Sequence, residues 1–274
     1  MRILMLFVFA LFFAGCVSTT NSGAVGANRT QLLLVSAKQM QASANEQYAA
    51  TLTSAKIKKK LNTNKNLTIR VQSIAKRLIA QTPVFREDAK NWAWEVNVVN
   101  EDTLNAWCMP GGKIVFYSGL ITKLNLNDAQ IAAIMGHEMA HALREHARER
   151  TSQATLTNAG LSIAASAAKL NSTQAALAGL AAKYTIAMPF SRTHESESDK
   201  IGIELMARAG YDPYEAPKVW EKMTKAGGGQ PIEILSTHPS HETRIKEAEK
   251  YAKIVYPLYE QSQKANTNYT KAKK

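Results

Sequence analysis

The sequence predicts a single α+β domain that is mainly α-helical. Three observations lead to this prediction. Apolar residues recur at helical spacing over most of the 274-residue chain. One short region, between Trp92 and Tyr117, has the alternation and turn residues of β-strands. The length and the 45% hydrophobic composition suit one globular unit.

The first 15 residues resemble a bacterial lipoprotein signal. They carry one charge, at Arg2, followed by an apolar run and by small residues before Cys16. Cleavage there and acylation of Cys16 would anchor the chain to a membrane without spanning it. Phe13 occupies a position where Leu is usual, so a plain signal peptide or an N-terminal anchor remain alternatives. If the source is a Gram-negative bacterium, Val17 after the cysteine resembles a signal for sorting to the outer rather than the inner membrane, which predicts a lipid anchor at the periplasmic face of the outer membrane of the cell envelope.

Amino-acid composition suggests that the rest of the chain has three segments. Residues 16–29 are rich in Ser, Thr, Asn and Gly and are predicted to be a flexible tether. The main domain is predicted for residues 30–257, and the lysine-rich residues 258–274 are predicted to be a disordered tail. Within the domain, helices are expected in 30–61 and 67–80, the second ending before Pro83.

Three strands are expected before the central helix. They are Trp92 to Val99, Leu104 to Met109 and Lys113 to Tyr117, with Pro110-Gly111-Gly112 forming a tight turn between the last two. An exposed edge of this sheet could bind an extended peptide by strand addition. This edge could equally have only a structural role.

A helix from Asp128 to Arg150 carries the strongest chemical signal. His137 and His141 are four residues apart and share a face, where both can bind one Zn²⁺. Glu138 between them can act as general base toward a metal-bound water. The alternative is a core helix whose two histidines are satisfied by other partners.

A second helix supplies a carboxylate. Glu195 and Asp199 share an apolar face, whereas Glu197 lies on the face of Glu204 and Arg208, which is predicted to be solvated. Glu195 is therefore predicted to be the third metal ligand. Asp199 is predicted to accept the outer N–H of a ligating histidine.

Other histidines are placed by their spacing. His238 precedes a proline and a helix start, which predicts His238 at the mouth of the site and Arg244 behind it. His146 follows His137 by nine positions, about 180° round a continuous helix, so it is predicted to be a surface or second-site residue. His194 is expected to face away from the metal.

These motifs, in this order over residues 67–250, resemble a zinc metallopeptidase family. The family is typified by the heat-shock protease HtpX and the CaaX prenyl protease, and the likeness is greatest to small lipoprotein peptidases of the bacterial periplasm. It implies a gluzincin-type catalytic helix with a small β-sheet or hairpin beside the active site. Ser198 departs from the Ala that is usual in the family.

The resemblance also implies roles for site residues. One zinc per chain is expected on His137, His141 and Glu195, with Glu138 as the base. His238 and Arg244 are expected to stabilise the oxyanion and order the site, with Asp199 orienting a ligand histidine.

The expected activity is zinc-dependent hydrolysis of peptide bonds. The resemblance implies misfolded or misassembled envelope proteins as substrates. Two alternatives remain: a non-catalytic envelope lipoprotein that acts as chaperone or scaffold, and a zinc hydrolase with a non-protein substrate. The intact general base Glu138 argues against the first.

Charge and cysteine content limit the partners. The net charge of +12 falls to +11 without Arg2 and could favour anionic lipid or acidic unfolded clients. The lysines are dispersed and show no recognition motif, so no nucleic-acid partner is expected. With Cys16 acylated, Cys108 has no disulfide partner.

Residues 151–187 are predicted to form two helices that pack on the catalytic helix or gate its cleft.

Overall fold

The computed structural model describes residues 16–167, 191–226, 233–238 and 242–272 of the chain. Its short N-terminal ribbon and three-stranded sheet consist of β1 (Cys16–Val17), β2 (Gln31–Leu32), β3 (Glu95–Val99), β4 (Ala106–Met109) and β5 (Lys113–Tyr117). Its helices are α1 (Ala37–Ile57), α2 (Lys65–Ile79), α3 (Ser118–Lys123), α4 (Asp128–Leu143), α5 (His146–Ala167), α6 (Arg192–Arg208), α7 (Glu215–Ala226), α8 (Glu233–Thr237) and α9 (Glu242–Ala272). The predicted α+β class, mainly helical with a small sheet, is confirmed.

The sheet has the strand order β3-β5-β4. β5 runs parallel to β3 and antiparallel to β4, and Ile114 faces Val96 on one side and Cys108 on the other. Gly112 closes the turn between β4 and β5 with φ +85°, and a side chain there would lie 2.6 Å from the Trp94 ring. The three predicted strands are present. β4 is an edge strand among the described residues, with β5 as its neighbour.

The N-terminus of α4 is capped by the side chains of Asn127 and Gln130. Asn127 accepts the Gln130 N–H through Oδ1 at 2.8 Å, and the Gln130 side chain accepts the Asn127 N–H in return. This reciprocal pair satisfies two of the N–H groups that a helix start leaves without partners. α4 therefore begins at a defined residue, which sets the rotation of the helix that carries His137 and His141.

The other end of α4 differs from the prediction. The helix ends at Leu143 instead of continuing to Arg150, because Glu145 adopts φ +51° and turns the chain into α5. This left-handed conformation is unfavourable for a residue with a side chain. The Glu145 carboxylate is held there by Arg86 and Arg148, each at 2.6 Å.

Helices α4 and α6 cross in close contact at two glycines. A Cβ atom on Gly136 would lie 2.8 Å from the Gly202 carbonyl oxygen, and one on Gly202 would lie 2.7 Å from the backbone nitrogen of His137. Both distances are below van der Waals contact, so the crossing requires glycine at both positions. The crossing brings the first turns of α6, with Glu195 and Asp199, alongside the histidines of α4.

The apolar core surrounds this helix pair. Ile131, Ile134, Met135 and Met139 of α4 are fully buried. α7 packs on α4 and α9 packs on α6 and α7, so the metal-binding motif lies in the centre of the helical layer.

The predicted tether of residues 16–29 is wrong for most of that segment. Val25 and Ala27 are buried in the main core, and the backbone N–H groups of Ala24 and Val25 donate to Glu204 Oε2 at 2.7 and 3.1 Å. Arg29 forms ion pairs with Glu149 and Glu197. Composition indicated flexibility, but small polar residues also suit a segment that binds through its backbone.

The predicted disorder of residues 258–274 is likewise wrong as far as Ala272. α9 continues through Pro257, and Leu258 and Tyr259 pack against the core. The Gln263 side chain donates to the Gly210 carbonyl at 2.9 Å. The apolar contacts of this stretch outweigh its polar composition.

Two further predictions fall on residues outside the described ranges. These are the signal peptide of residues 1–15 and the break near Asn171 within residues 151–187. Among the described residues, no helix has the length and apolar content needed to cross a membrane.

Candidate metal centre

Three predicted ligand side chains meet in the buried space between α4 and α6. His137 Nε2 and His141 Nε2 lie 3.1 Å apart. Glu195 Oε1 is 3.3 Å from His141 Nε2, and Glu195 Oε2 is 3.4 Å from His137 Nε2. The three side chains are almost completely buried. Their ligand atoms converge closely enough to hold one metal ion.

The charges and hydrogen bonds of the cluster fit a divalent cation. Glu138, Glu195 and Asp199 supply three carboxylates, and Arg244 supplies one guanidinium, which pairs with Glu195 and Asp199. The carboxylates therefore outnumber the guanidinium in a buried site, where excess negative charge requires compensation. Glu138 Oε1 is buried and accepts no hydrogen bond from a described residue. Two imidazoles and a carboxylate are a donor set that suits zinc.

Asp199 and Arg244 form the outer layer of this site. Asp199 Oδ1 lies 2.9 Å from His137 Nδ1, the ring nitrogen that points away from the other ligands. Arg244 contacts Asp199 Oδ2 at 2.5 Å and Glu195 Oε2 at 2.8 Å. Its guanidinium also lies over the ring of Trp220, 3.9 Å from the ring centroid. Arg244 thus holds Glu195 and Asp199 of α6 in place.

His238 lies closer to the ligands than a position at the mouth requires. It is buried, with Nδ1 2.9 Å from Glu195 Oε1 and 3.2 Å from His137 Nε2. Its Nε2 is 3.6 Å from Glu138 Oε1. His238 can therefore offer a fourth ligand atom to the same ion, and it borders the predicted base.

Burial and neighbouring charges shift the pKa values of these groups, some upward and some downward. Burial and Arg244 lower the pKa of His137, but Glu195 and Asp199 outweigh them and raise it to about 9 before a cation binds. Burial holds the pKa of His141 well below its usual value. Burial raises the pKa of Glu138. The pKa of Glu195 falls well below its usual value despite burial, because His137 and the other histidines stabilise its negative charge.

A second buried group lies next to this centre. It contains His146, Glu149, His194 and Glu197. His146 Nε2 is 3.0 Å from Glu197 Oε2, and His194 Nε2 is 3.1 Å from Glu149 Oε2. Of the two alternatives predicted for His146, the surface position is wrong, and the residue belongs instead to a second buried group. The prediction of a solvated face for Glu197 is wrong. The geometry of His146, Glu149 and His194 would admit a metal ion.

Two structural features explain these errors. The break at Glu145 turns His146 back toward His141, with 3.0 Å between their Nδ1 atoms. The N-terminal segment covers the polar face of α6, so Glu197 and Glu204 are buried under it. No local pattern predicted either feature. Trp220 was also missed, and its burial could have been expected from the apolar stripe of α7.

Comparison with known proteins assigns the chain to a family. A model described as peptidase family M48 matches residues 65–252. The chain belongs to peptidase family M48. The resemblance to zinc metallopeptidases is thereby confirmed, and the matched range contains α4, α6 and the loop that carries His238.

Curated members of the M48 family are similar to this chain over part of their length. The chain is 41% identical over 56% of its length to mitochondrial metalloendopeptidase OMA1 of Arabidopsis thaliana and 33% identical over 67% to that of Schizosaccharomyces pombe. It is 30% identical over 72% to the beta-barrel assembly-enhancing protease of Escherichia coli. The chain spans only 30%, 52% and 41% of the lengths of these three relatives.

Proposed function

We propose that this M48 protein is a zinc-dependent endopeptidase. The observation that carries the proposal is the buried cluster of His137, His141 and Glu195, with Glu138 beside it and more carboxylates than guanidiniums around it. A purely structural zinc site has no need of an adjacent carboxylate with a hydrogen-bonding atom left available. A general base in peptide hydrolysis needs such an atom.

The chemistry follows from the positions of the side chains. Zinc, when bound to His137, His141 and Glu195, supplies a Lewis acid that polarises the scissile carbonyl and makes water more acidic. Glu138 takes a proton from the water as its oxygen bonds to the carbonyl carbon. Glu138 then gives that proton to the leaving nitrogen as the C–N bond breaks, so the products are a carboxylic acid and an amine.

The outer residues hold and assist this set. Asp199 accepts a hydrogen bond from His137 Nδ1, which keeps the lone pair of Nε2 directed toward the metal. Arg244 acts through Asp199 and Glu195, since its guanidinium is engaged with both. His238 borders Glu138, where a ring N–H can stabilise negative charge on the substrate carbonyl oxygen.

The edge strand β4 is the proposed docking site for the substrate backbone. Its outer edge pairs with no other strand of the described residues and can pair with an extended peptide, which gives affinity with little side-chain selectivity. β4 packs on α4, and the charge of Glu138 adds to burial in raising the pKa of the Cys108 thiol. A peptide paired with β4 would therefore lie near the base.

The cellular setting is proposed from the N-terminal sequence. Acylated Cys16 would tether the protease to the envelope of a bacterium, at the periplasmic face of the outer membrane, with misassembled envelope proteins as substrates. The similarity to the beta-barrel assembly-enhancing protease supports this setting, although other relatives are mitochondrial by name. Cys16→Ser should move the protein from the membrane fraction to the soluble fraction. Unchanged membrane association would contradict a lipid anchor.

Zinc content and hydrolysis of casein test the activity. Wild type and Glu138→Gln should both bind about one zinc per chain, because Glu138 is not a ligand. Hydrolysis by the variant should fall by about 10²–10⁴-fold, the contribution of a general base. Glu101→Gln, which removes a carboxylate paired with Lys60 instead, should retain both properties.

Two results would contradict the proposal. Casein cleavage by Glu138→Gln at the wild-type rate would show that Glu138 is not the base. A wild-type protein that binds zinc but cleaves no unfolded substrate would favour the chaperone or scaffold alternative.

A further inference from the structure

The two ligand histidines have different partners on their outer nitrogens. His137 Nδ1 contacts the carboxylate of Asp199 directly at 2.9 Å. His141 Nδ1 instead contacts another imidazole nitrogen, His146 Nδ1, at 3.0 Å. His146 in turn reaches Glu197 Oε2 through Nε2, also at 3.0 Å. A carboxylate therefore supports each ligand, but an additional histidine lies between Glu197 and His141.

The charge of Glu197 determines the direction of the hydrogen bonds in this chain. Arg29 and Arg144 both contact its carboxylate, at 3.1 and 3.0 Å, which keeps it ionised and able only to accept. His146 must therefore donate from Nε2. The two guanidiniums already balance Glu149 and Glu197, so a further buried cation at His146 would be uncompensated, and His146 is neutral.

The proton positions on the two rings then follow. A neutral imidazole that donates from Nε2 has its lone pair on Nδ1. His146 Nδ1, which also lies 3.3 Å from Ser198 Oγ, can therefore accept the hydrogen of His141 Nδ1, which leaves the lone pair of His141 on Nε2. That atom is the one beside His137 Nε2 and Glu195 Oε1. The opposite direction would place a lone pair of His146 against the ionised carboxylate.

We infer that His146 is a positioning residue of the metal centre, which together with Glu197 holds His141 in the tautomer that can bind a metal through Nε2. The inference rests on the proposed function only in taking His141 as a ligand. Outer hydrogen bonds of this kind fix the tautomer and orientation of ligand histidines. Nothing in the HExxH motif itself supplies this partner for its second histidine.

The break between α4 and α5 makes the contact possible. In a continuous helix, His146 would lie about 140° round the axis from His141. The positive φ of Glu145 turns the chain so that the two rings pack with their centroids 4.9 Å apart. An unfavourable backbone conformation next to a functional site indicates a constraint of this type.

Two substitutions at His146 separate positioning from packing. In His146→Asn, the side-chain oxygen takes the place of Nδ1 and can still accept from His141. In His146→Gln, the amide takes the place of Nε2 and can still contact Glu197, but the acceptor for His141 is lost. Both variants place an amide of similar polarity in the same buried site.

The test uses the purified full chain in two measurements. Nitrogen-15 NMR of the histidine rings after metal removal should show His141 protonated on Nδ1 in wild type and in His146→Asn, and a mixture of tautomers in His146→Gln. Zinc affinity, measured by competition with a chromophoric chelator, should fall by about 10–100-fold in His146→Gln. In His146→Asn, zinc affinity should stay close to that of wild type.

The inference is overturned if His146→Gln keeps both the wild-type tautomer and the wild-type zinc affinity. It is also overturned if the two variants lose affinity equally, since this would show that only packing matters. Neither measurement depends on peptide hydrolysis. A wild-type protein without protease activity would thus contradict the proposed function and leave the tautomer result to decide the role of His146.

Discussion

The two adjacent histidine–carboxylate groups of this protein differ in how their charges are satisfied. In the metal centre, three carboxylates face the single guanidinium of Arg244, and Glu138 Oε1 accepts no hydrogen bond from a described residue. In the second group, the two carboxylates of Glu149 and Glu197 face two guanidiniums, those of Arg29 and Arg144. All four of their oxygens accept hydrogen bonds.

This difference distinguishes a metal site from a structural network of the same residue types. Histidine and glutamate atoms lie close enough to bind an ion in both groups. A cation entering the first group would neutralise excess negative charge, whereas a cation entering the second would add positive charge to carboxylates that Arg29 and Arg144 already balance. We therefore assign zinc to the first group and a supporting role to the second.

The largest predicted effect tests this assignment by ligand removal. His141→Ala should lower zinc affinity by more than the roughly 100-fold that loss of an outer partner costs, because a ligand itself is lost. His194→Ala removes an equally buried histidine from the second group and should leave about one zinc per chain. Zinc content after dialysis and calorimetric titration provide the measurement.

Two outcomes of that titration would contradict the comparison. Wild type could bind two zinc ions per chain, with His194→Ala binding only one, which would make the second group a metal site. Alternatively, His141→Ala could retain wild-type affinity, and the first group would then not be the zinc site.

The position of the metal centre in the fold could be predicted from sequence because it depends on local spacing. Four-residue intervals on two helices place His137 with His141 and Glu195 with Asp199, whatever the rest of the chain does. The structure brings these four side chains together as the spacing predicts. The three strands and the turn at Gly112 were likewise specified by short patterns of alternation and glycine.

The second group could not be predicted because it depends on contacts distant in sequence. Glu197 and Glu204 lie on a polar face, which local periodicity assigns to solvent. The segment around Arg29 covers that face, and its composition had indicated a tether. Helical periodicity shows which residues share a face, but not whether another segment covers that face. The turn at Glu145 adds a positive φ at a residue type for which it is uncommon.

The smaller predicted effect tests the charge balance of the second group. Arg144 is completely buried and pairs with Glu197, so Arg144→Met leaves that carboxylate with Arg29 as its remaining guanidinium partner. The free energy of unfolding should fall by about 3 kcal/mol, the low end of the range for breaking a buried ion pair, because Arg29 still compensates part of the charge. Arg70→Met breaks a more exposed pair with Asp128 and should cost at most about 1 kcal/mol.

Urea unfolding with and without zinc gives both values, and zinc should stabilise wild type and Arg144→Met by similar amounts. If zinc stabilised Arg144→Met more than wild type, the Glu197 carboxylate left without Arg144 would be binding the ion. Arg144 alone would then prevent the second group from being a metal site.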